Sequence, residues 1–154
     1  MGSLTITYPQ APDTLNTSRI ALIDQNGRLD YFAGMRWADF LPGNIQSALI
    51  SSFSALGSFQ SVSSDDTIDR SRLTLESEIK TFEAVYHAGD PVPEANIEIM
   101  FTLREGNNLH VKKQFTVSAK MKAEADNADA IDRAFEKAFT QIEHTAVSKI
   151  ACRP

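Results

Sequence analysis

The chain has 154 residues, of which 42% are hydrophobic and 23% are charged. This composition is typical of one globular domain with a substantial core. Its formal net charge of -5, with no compensating basic stripe, argues against a nucleic-acid-binding protein, and no apolar run approaches the roughly 20 residues of a membrane-spanning helix. We therefore expect a single domain over residues 4–151, with residues 1–3 as a cloning remnant in place of a removed leader.

The first third of the chain predicts three short strands. Alternating residues in Leu4–Tyr8 indicate the first strand, and the apolar run in Arg19–Asp24 indicates a second strand covered on both faces. Asn26-Gly27 suits a two-residue hairpin loop, because both residues tolerate positive φ. The third strand ends at Gly34 and has the alternating residues Leu29, Tyr31 and Ala33.

Apolar residues then recur at helical spacing and predict an amphipathic helix. Its buried face comprises Leu41, Ile45, Leu49, Phe53 and Leu56. Asp39 is a candidate N-cap, and Pro42 fits the first turn. Gly57 is placed to take the left-handed conformation that ends a helix.

A short strand over residues 58–63 precedes a three-stranded antiparallel meander. The first strand of the meander begins at residues 72–81. Its alternation of apolar and polar residues runs to Ile79 and then resumes in the opposite phase at Phe82. This change of phase predicts a β-bulge near Lys80 and Thr81. The inward face of the second strand comprises Ile97, Ile99, Phe101 and Leu103, and that of the third comprises Leu109, Val111, Phe115, Val117, Ala119 and Met121, with Lys113 as its polar interruption.

The last element is the strongest predicted helix, with Asp126 or Asn127 as its N-cap. Its buried face comprises Ile131, Phe135, Ala138, Phe139, Ile142, Ala146 and Ile150. The predicted order is β-β-β-α-β-β-β-β-α. Because the sheet has one polar face, we expect an α/β (α+β) two-layer sandwich: a largely antiparallel sheet with the two helices side by side on one face.

The sequence predicts no catalytic residue, no cofactor site and no metal site. The three histidines, His87, His110 and His144, lack the spacing of a zinc site. Nucleotide-binding glycine loops and the GxSxG nucleophile motif are absent from the sequence. We therefore expect a protein that is not an enzyme.

The aspartates near residue 66 and the single cysteine are best interpreted without a functional role. Asp65, Asp66 and Asp69 do not fit the EF-hand pattern and are expected to lie in a solvated loop. The single cysteine, Cys152, excludes an internal disulfide framework and is expected to be an ordinary tail residue.

The candidate interaction residues lie between the third strand and the first helix. Arg36 and Trp37 occupy the connection, where binding function is often found, although Trp37 is better interpreted as sealing the edge of the sandwich. Arg36 is expected to pair with Asp39 or to meet a partner chain. Tyr31 and Phe32 face opposite ways, so at least one of them is an exposed aromatic of the kind enriched at interfaces.

Three segments in this region carry a resemblance to a known family: LNTSRIA from Leu15, GRLDYFAGMRWAD from Gly27, and Leu41-Pro42 before an apolar helix. They look like the ABC-type transport auxiliary component family, whose best-known kind is the PqiC-like lipoprotein that accompanies MCE proteins in Gram-negative envelopes. The similarity runs from about Leu4 to Ile150. The resemblance implies a signal peptide and a lipid-bearing cysteine upstream of Leu4.

The resemblance implies a non-catalytic auxiliary lipoprotein of an ABC/MCE intermembrane transport system for lipids or other hydrophobic molecules. Its partners would be an MCE-domain protein and an inner-membrane permease and ATPase, and an N-terminal lipid would anchor it to the outer membrane on the periplasmic side. PqiC-like members also suggest a cyclic homo-oligomer. The alternative function is a stand-alone periplasmic envelope assembly or regulatory domain unrelated to transport.

Overall fold

The computed structural model describes residues 2–64 and 73–151. Its elements are β1 (Leu4–Ile6), β2 (Arg19–Ile23), β3 (Leu29–Arg36), α1 (Leu41–Leu56), β4 (Val62–Ser64), β5 (Leu73–Val85), β6 (Glu94–Glu105), β7 (His110–Lys122) and α2 (Ala128–Ala151). The predicted order of strands and helices is confirmed. The predictions for Asp65, Asp66, Asp69 and Cys152 lie outside the described residues.

All the strands belong to one sheet, and β5 is its central strand. One edge of β5 pairs antiparallel with β6 along its whole length, and β7 lies beyond β6. The other edge pairs in parallel with β1 at Leu73–Leu75 and with β2 at Glu83–Val85. An isolated bridge between Gln10 and Glu78 lies between these two contacts. The expected largely antiparallel sheet is confirmed, although β1 and β2 pair in parallel with β5, and β4 pairs in parallel with β1.

The predicted β-bulge in β5 is confirmed. Ile79 pairs with Ile99, but the next pair is Thr81 with Glu98, so Lys80 is the extra residue. The extra residue moves the alternation by one position, and Phe82 therefore returns to the buried face of the sheet. Phe82 is only 5% exposed.

A second bulge, in β7, corrects the predicted inward face of that strand. Leu103 pairs with Lys113, but Arg104 pairs with Val111, so Lys112 is the extra residue. Val111 is consequently on the opposite face from Phe115 and is 44% exposed. Leu109 lies in the preceding turn and is 48% exposed. The inward face of β7 therefore begins at Lys113, whose Nζ donates to the carbonyl oxygen of Lys149 in the last turn of α2, at 2.5 Å.

Helix α1 has the predicted buried face except at its end, where Leu56 is 41% exposed. The predicted N-cap was wrong: Phe40 occupies the cap position without a side-chain cap bond, because the Oδ1 of Asp39 accepts from the adjacent Phe40 N–H at 2.8 Å. The predicted C-terminal glycine is confirmed. Gly57 has φ 72°, and its N–H donates to the Ser54 carbonyl, a conformation that an L-residue adopts only with strain.

Helix α2 begins as predicted, with the Oδ1 of Asn127 accepting from the Ala130 N–H at 2.9 Å. The alternative cap residue, Asp126, instead accepts a hydrogen bond from the Tyr86 hydroxyl at 2.7 Å. The buried face of α2 agrees with the prediction except at Phe139, which is only partly buried.

The two helices cover the same face of the sheet, as expected. Helix α1 packs over β1 and β4, whereas α2 packs over β6 and β7, and the two helices also contact each other. The shared core between helices and sheet is apolar, and its largest fully buried side chains include Phe53, Leu75, Ile99, Phe101 and Ile142. Because the helices lie on either side of β5, the middle of that strand forms the floor between them.

Candidate functional site

The connection from β3 to α1 is anchored on the segment just before β2. The Trp37 N–H donates to the Ser18 carbonyl at 2.8 Å, and the Leu41 N–H donates to the Thr17 carbonyl at 3.0 Å. Within β3 the chain passes through Gly34 at φ 77°, so the strand continues to Arg36 rather than ending at the glycine as the sequence suggested. These bonds place Trp37 over the gap between the helices.

Trp37 is part of an aromatic cluster drawn from three elements. Its ring meets Phe82 edge-on at 5.5 Å and Phe135 edge-on at 5.2 Å between centroids. Phe82 and Phe135 are stacked on each other at 5.4 Å with an interplanar angle of 4°. The expected role of Trp37, sealing the edge of the sandwich, agrees with these contacts. Its indole Nε1 is buried and has no hydrogen-bond partner within residues 2–64 and 73–151.

The cluster borders an open cleft between α1 and α2, which we call the Trp37 cleft. It has a volume of about 190 Å³ and is lined by Trp37, Leu41, Asn44, Ile45, Ala48, Phe82, Asp132, Phe135, Glu136 and Phe139. Most of these side chains are apolar, whereas Asp132 and Glu136 are exposed acidic residues of α2. A cleft of this kind suits an apolar group that carries, or lies beside, a positive charge.

The four predicted interaction residues do not converge on one site. The Tyr31 hydroxyl donates to the Thr14 carbonyl at 2.8 Å, and the Arg19 guanidinium lies 4.5 Å over the Tyr31 ring. Phe32 packs 6.4 Å from Tyr86. Tyr31 and Phe32 are both half-buried, so neither is the largely exposed aromatic that the sequence suggested.

Arg36 is exposed and donates to the Ser18 hydroxyl at 3.4 Å. Across the described ranges, Arg36 and Asp39 form no ion pair, so that expected contact was wrong. Only Trp37 of the four residues borders the cleft. The roles of Tyr31, Phe32, Arg36 and Trp37 as interface residues remain predictions.

A second surface feature, Leu109, was missed because the alternation predicted it on the inward face of the third meander strand, whereas it lies in the turn before β7. Leu109 has φ 54°, a conformation that is unfavourable for a bulky L-residue. The Leu109 N–H donates to the Gly106 carbonyl, and its own carbonyl accepts from the Arg104 Nη1 at 3.1 Å. In the sequence Lys113 is a charged residue at an apolar position of the alternation, but by itself it does not indicate the change of phase.

Two carboxylates, Glu83 on β5 and Glu143 on α2, have raised pKa values. Burial raises the pKa of Glu83, which lies on the sheet face away from the helices. Burial also raises the pKa of Glu143, although the hydrogen bond from the Ser52 hydroxyl opposes this shift. In the part of the chain that the structure describes, no cluster of three or more His, Cys, Asp or Glu residues is placed to hold a metal ion.

No helix among the described residues combines the length and the apolar character needed to cross a membrane. Tyr86, which links the sheet to the start of α2, has a raised pKa because it is partly buried and donates to the Asp126 carboxylate.

Solved structures share this fold at low sequence identity. Protein XCC0632 from Xanthomonas campestris superposes with a TM-score of 0.89 at 24% identity, over 97% of this chain and 83% of that one. A PelC dodecamer from Paraburkholderia phytofirmans gives a TM-score of 0.55 at 10% identity, over 99% and 88% of the two chains. A putative neuraminyllactose-binding hemagglutinin homolog from Helicobacter pylori gives 0.54 at 10% identity, over 97% and 86%.

At these identities the similarity establishes the fold alone. No curated protein matches the sequence significantly. The sequence does match one family over residues 2–146, nearly the whole chain, including β3, the Trp37 connection and most of α2. The chain therefore belongs to the family of ABC-type transport auxiliary lipoprotein components.

Proposed function

We propose that this protein is a non-catalytic auxiliary lipoprotein of an ABC/MCE-type system that moves lipids or other hydrophobic molecules between the inner and outer membranes. The observation that carries the proposal is the family match over residues 2–146. In this role the protein docks the transport assembly at the outer membrane. ATP hydrolysis belongs to a separate subunit, since the sequence has no nucleotide-binding glycine loop.

The location follows from the same family membership. Its members are described as lipoproteins, and a bacterial lipoprotein carries its lipid at the N-terminus. The residues nearest that end are held in the fold, because the Leu4 N–H donates to the Ser61 carbonyl at 2.9 Å and the Gln60 N–H donates to the Gly2 carbonyl at 3.2 Å. We propose periplasmic placement, with the folded body tethered to the outer membrane.

A cyclic homo-oligomer is the second part of the proposal. A similar fold forms a dodecamer in PelC, and a ring of auxiliary subunits would match an MCE partner that is itself a ring. In such a ring each contact is heterologous and the rotation closes. We place Tyr31, Phe32, Arg36 and Trp37 near a partner-facing edge, because β3 is an outer strand of the sheet and outer strands offer unpaired backbone groups.

The transport role is tested by site-specific cross-linking of the full-length, lipidated protein in its own membranes. A photoreactive residue at Arg36, which is exposed at the edge of the sheet, is expected to capture the MCE-domain protein. The matched control places the same residue at Lys137, which is exposed on α2 and not on β3. The photoreactive residue at Arg36 could instead capture envelope proteins that are not MCE, permease or ATPase subunits. That result would favour the stand-alone assembly or regulatory function.

A further inference from the structure

Leu109 is an apolar residue in an unfavourable backbone conformation at the surface. With φ 54° and an exposed fraction of 48% for the whole residue, it gains little burial in return for the strain. Asparagine and glycine tolerate this conformation much better than leucine. A residue held in such a conformation is a candidate for function, and an exposed leucine most simply serves to contact another molecule.

The residues beside Leu109 indicate what kind of surface it would contact. Val111, two residues on, is 44% exposed. The neighbouring Lys112 ammonium is about half exposed and lies 3.5 Å from the Glu105 carboxylate, an ion pair that solvent weakens, whereas Arg104 pairs with Glu76 at 2.9 Å. We call Leu109 and Val111, with the neighbouring Lys112, the Leu109 knob. It is apolar at its tip, and at its side it carries the Lys112 ammonium together with the Glu105 carboxylate that it contacts.

The Trp37 cleft has the complementary character. Its walls are mostly apolar and border an open space of about 190 Å³, which suits one or two branched aliphatic side chains. Asp132 and Glu136 line the cleft one helical turn apart on α2. Within the described ranges neither carboxylate takes part in an ion pair.

The knob of one molecule cannot reach its own cleft. Arg104, beside the knob, and Ile97, which pairs with Phe82 in the cleft floor, both lie on β6. They are separated by roughly 20 Å, given a rise of about 3.3 Å per residue in a strand. A contact between knob and cleft therefore joins two molecules head to tail. Contacts of this type form rings when the rotation closes.

We infer that the Leu109 knob of one copy of this chain inserts into the Trp37 cleft of the next copy. This inference rests on the proposed homo-oligomer and identifies the two surfaces that form it. Leu109 and Val111 fill the apolar space between the helices, and Lys112 lies opposite the acidic pair Asp132 and Glu136. The charges orient the two molecules, because complementary potentials fix register and suppress wrong partners.

The first test replaces Leu109 with asparagine. Because asparagine is favoured at positive φ, Leu109→Asn should fold with an unfolding midpoint equal to or above that of the wild type. It should nevertheless self-associate at least tenfold more weakly in sedimentation velocity across a concentration series. Unchanged stability together with weaker self-association would show that the variant lost the contact between molecules and not its fold. Association within twofold of the wild type would overturn the knob-and-cleft contact.

The second test uses charge reversals at exposed positions. Lys112→Glu and Asp132→Lys should each associate more weakly than the wild type at low salt. An equimolar mixture of the two variants should associate more strongly than either variant alone, because the reversed charges face each other at every second contact. A mixture no stronger than its components would count against the pairing of Lys112 with Asp132.

The result for the wild type distinguishes this inference from the proposed function. If the wild type associates and Leu109→Asn associates equally well, the contact is wrong and the oligomer proposal stands. If the lipidated wild type stays monomeric in cross-linked membranes, both the contact and the ring are overturned. The transport role is decided separately by the capture of the MCE-domain protein from Arg36.

Discussion

Replacement of Phe135 by alanine is the most direct perturbation of the aromatic cluster. Phe135 is 2% exposed, stacks on Phe82 at 5.4 Å and meets Trp37 edge-on at 5.2 Å. The substitution removes a buried ring from the junction of α2, β5 and the Trp37 connection. It therefore removes apolar burial, leaves a cavity and eliminates two aromatic contacts at once.

The expected loss in free energy of unfolding is about 3–5 kcal/mol, as for other buried Phe→Ala changes. The two ring contacts favour the upper half of that range, since such pairs contribute about 0.5–1.5 kcal/mol each beyond their burial. With a urea dependence of about 2 kcal/mol per molar, a loss of about 4 kcal/mol moves the midpoint by about 2 M. Trp37, the only tryptophan, supplies the fluorescence signal directly at the perturbed site.

Phe139→Ala is the matched control, because it makes the same chemical change one helical turn away. Phe139 is only partly buried and meets Phe82 at 6.2 Å, so its removal should cost about 1–1.5 kcal/mol. Equal losses for the two variants, or a loss below about 1.5 kcal/mol for Phe135→Ala, would show that the cluster does not hold α2 to the sheet.

Three further predictions concern single contacts. Asn127→Ala should lower the free energy of unfolding by about 1 kcal/mol because it removes the N-cap of α2, whereas Asn127→Asp should stay close to the wild type in the same urea titration. Lys113→Met should cost about 0.5–1.5 kcal/mol by removing the bond to the Lys149 carbonyl, with faster amide exchange confined to the last turn of α2. Burial raises the pKa of Glu143 above its usual value of 4.5, so the folded state binds the Glu143 proton more tightly than the unfolded state does. The protonated carboxyl therefore stabilises the fold at low pH, and this stabilisation is lost as pH rises from about 4.5 through the raised pKa. Glu143→Gln should therefore become more stable relative to the wild type between pH 4 and pH 7; an unchanged difference would contradict this assignment.

Most of the fold could be predicted because the spacing of apolar residues along each segment indicates whether that segment is a strand or a helix. The bulge at Lys80 was predictable, since apolar residues change phase visibly between Ile79 and Phe82. The bulge at Lys112 was not, because Val111 and Phe115 keep the same apparent phase and Lys113 looks like an isolated exception. Only the pairing with β6 shows that Lys112 is the extra residue.

The candidate site was less predictable for a different reason. Trp37 was identified because a tryptophan in a connection is conspicuous, but Phe82 and Phe135 read as ordinary core residues of a strand and a helix. Their contact with Trp37 arises from tertiary packing between segments far apart in the chain, for which periodicity carries no information. The capping error at Asp39 is a local competition, in which the carboxylate binds the neighbouring N–H instead of one inside the helix.

One edge of β5 pairs with both β1 and β2, and this arrangement favours a particular order of folding. Strands β1 and β2 occur early in the sequence, yet both pair with β5, which follows α1. Parallel pairings across such separations require the closure of long loops, whereas β5, β6 and β7 are joined by connections of only eight and four residues. We expect the meander to form first and to act as the template on which the N-terminal strands assemble. Pulse-labelling hydrogen exchange should therefore detect protection at Ile99 before protection at Leu22, and the reverse order would contradict this sequence of events.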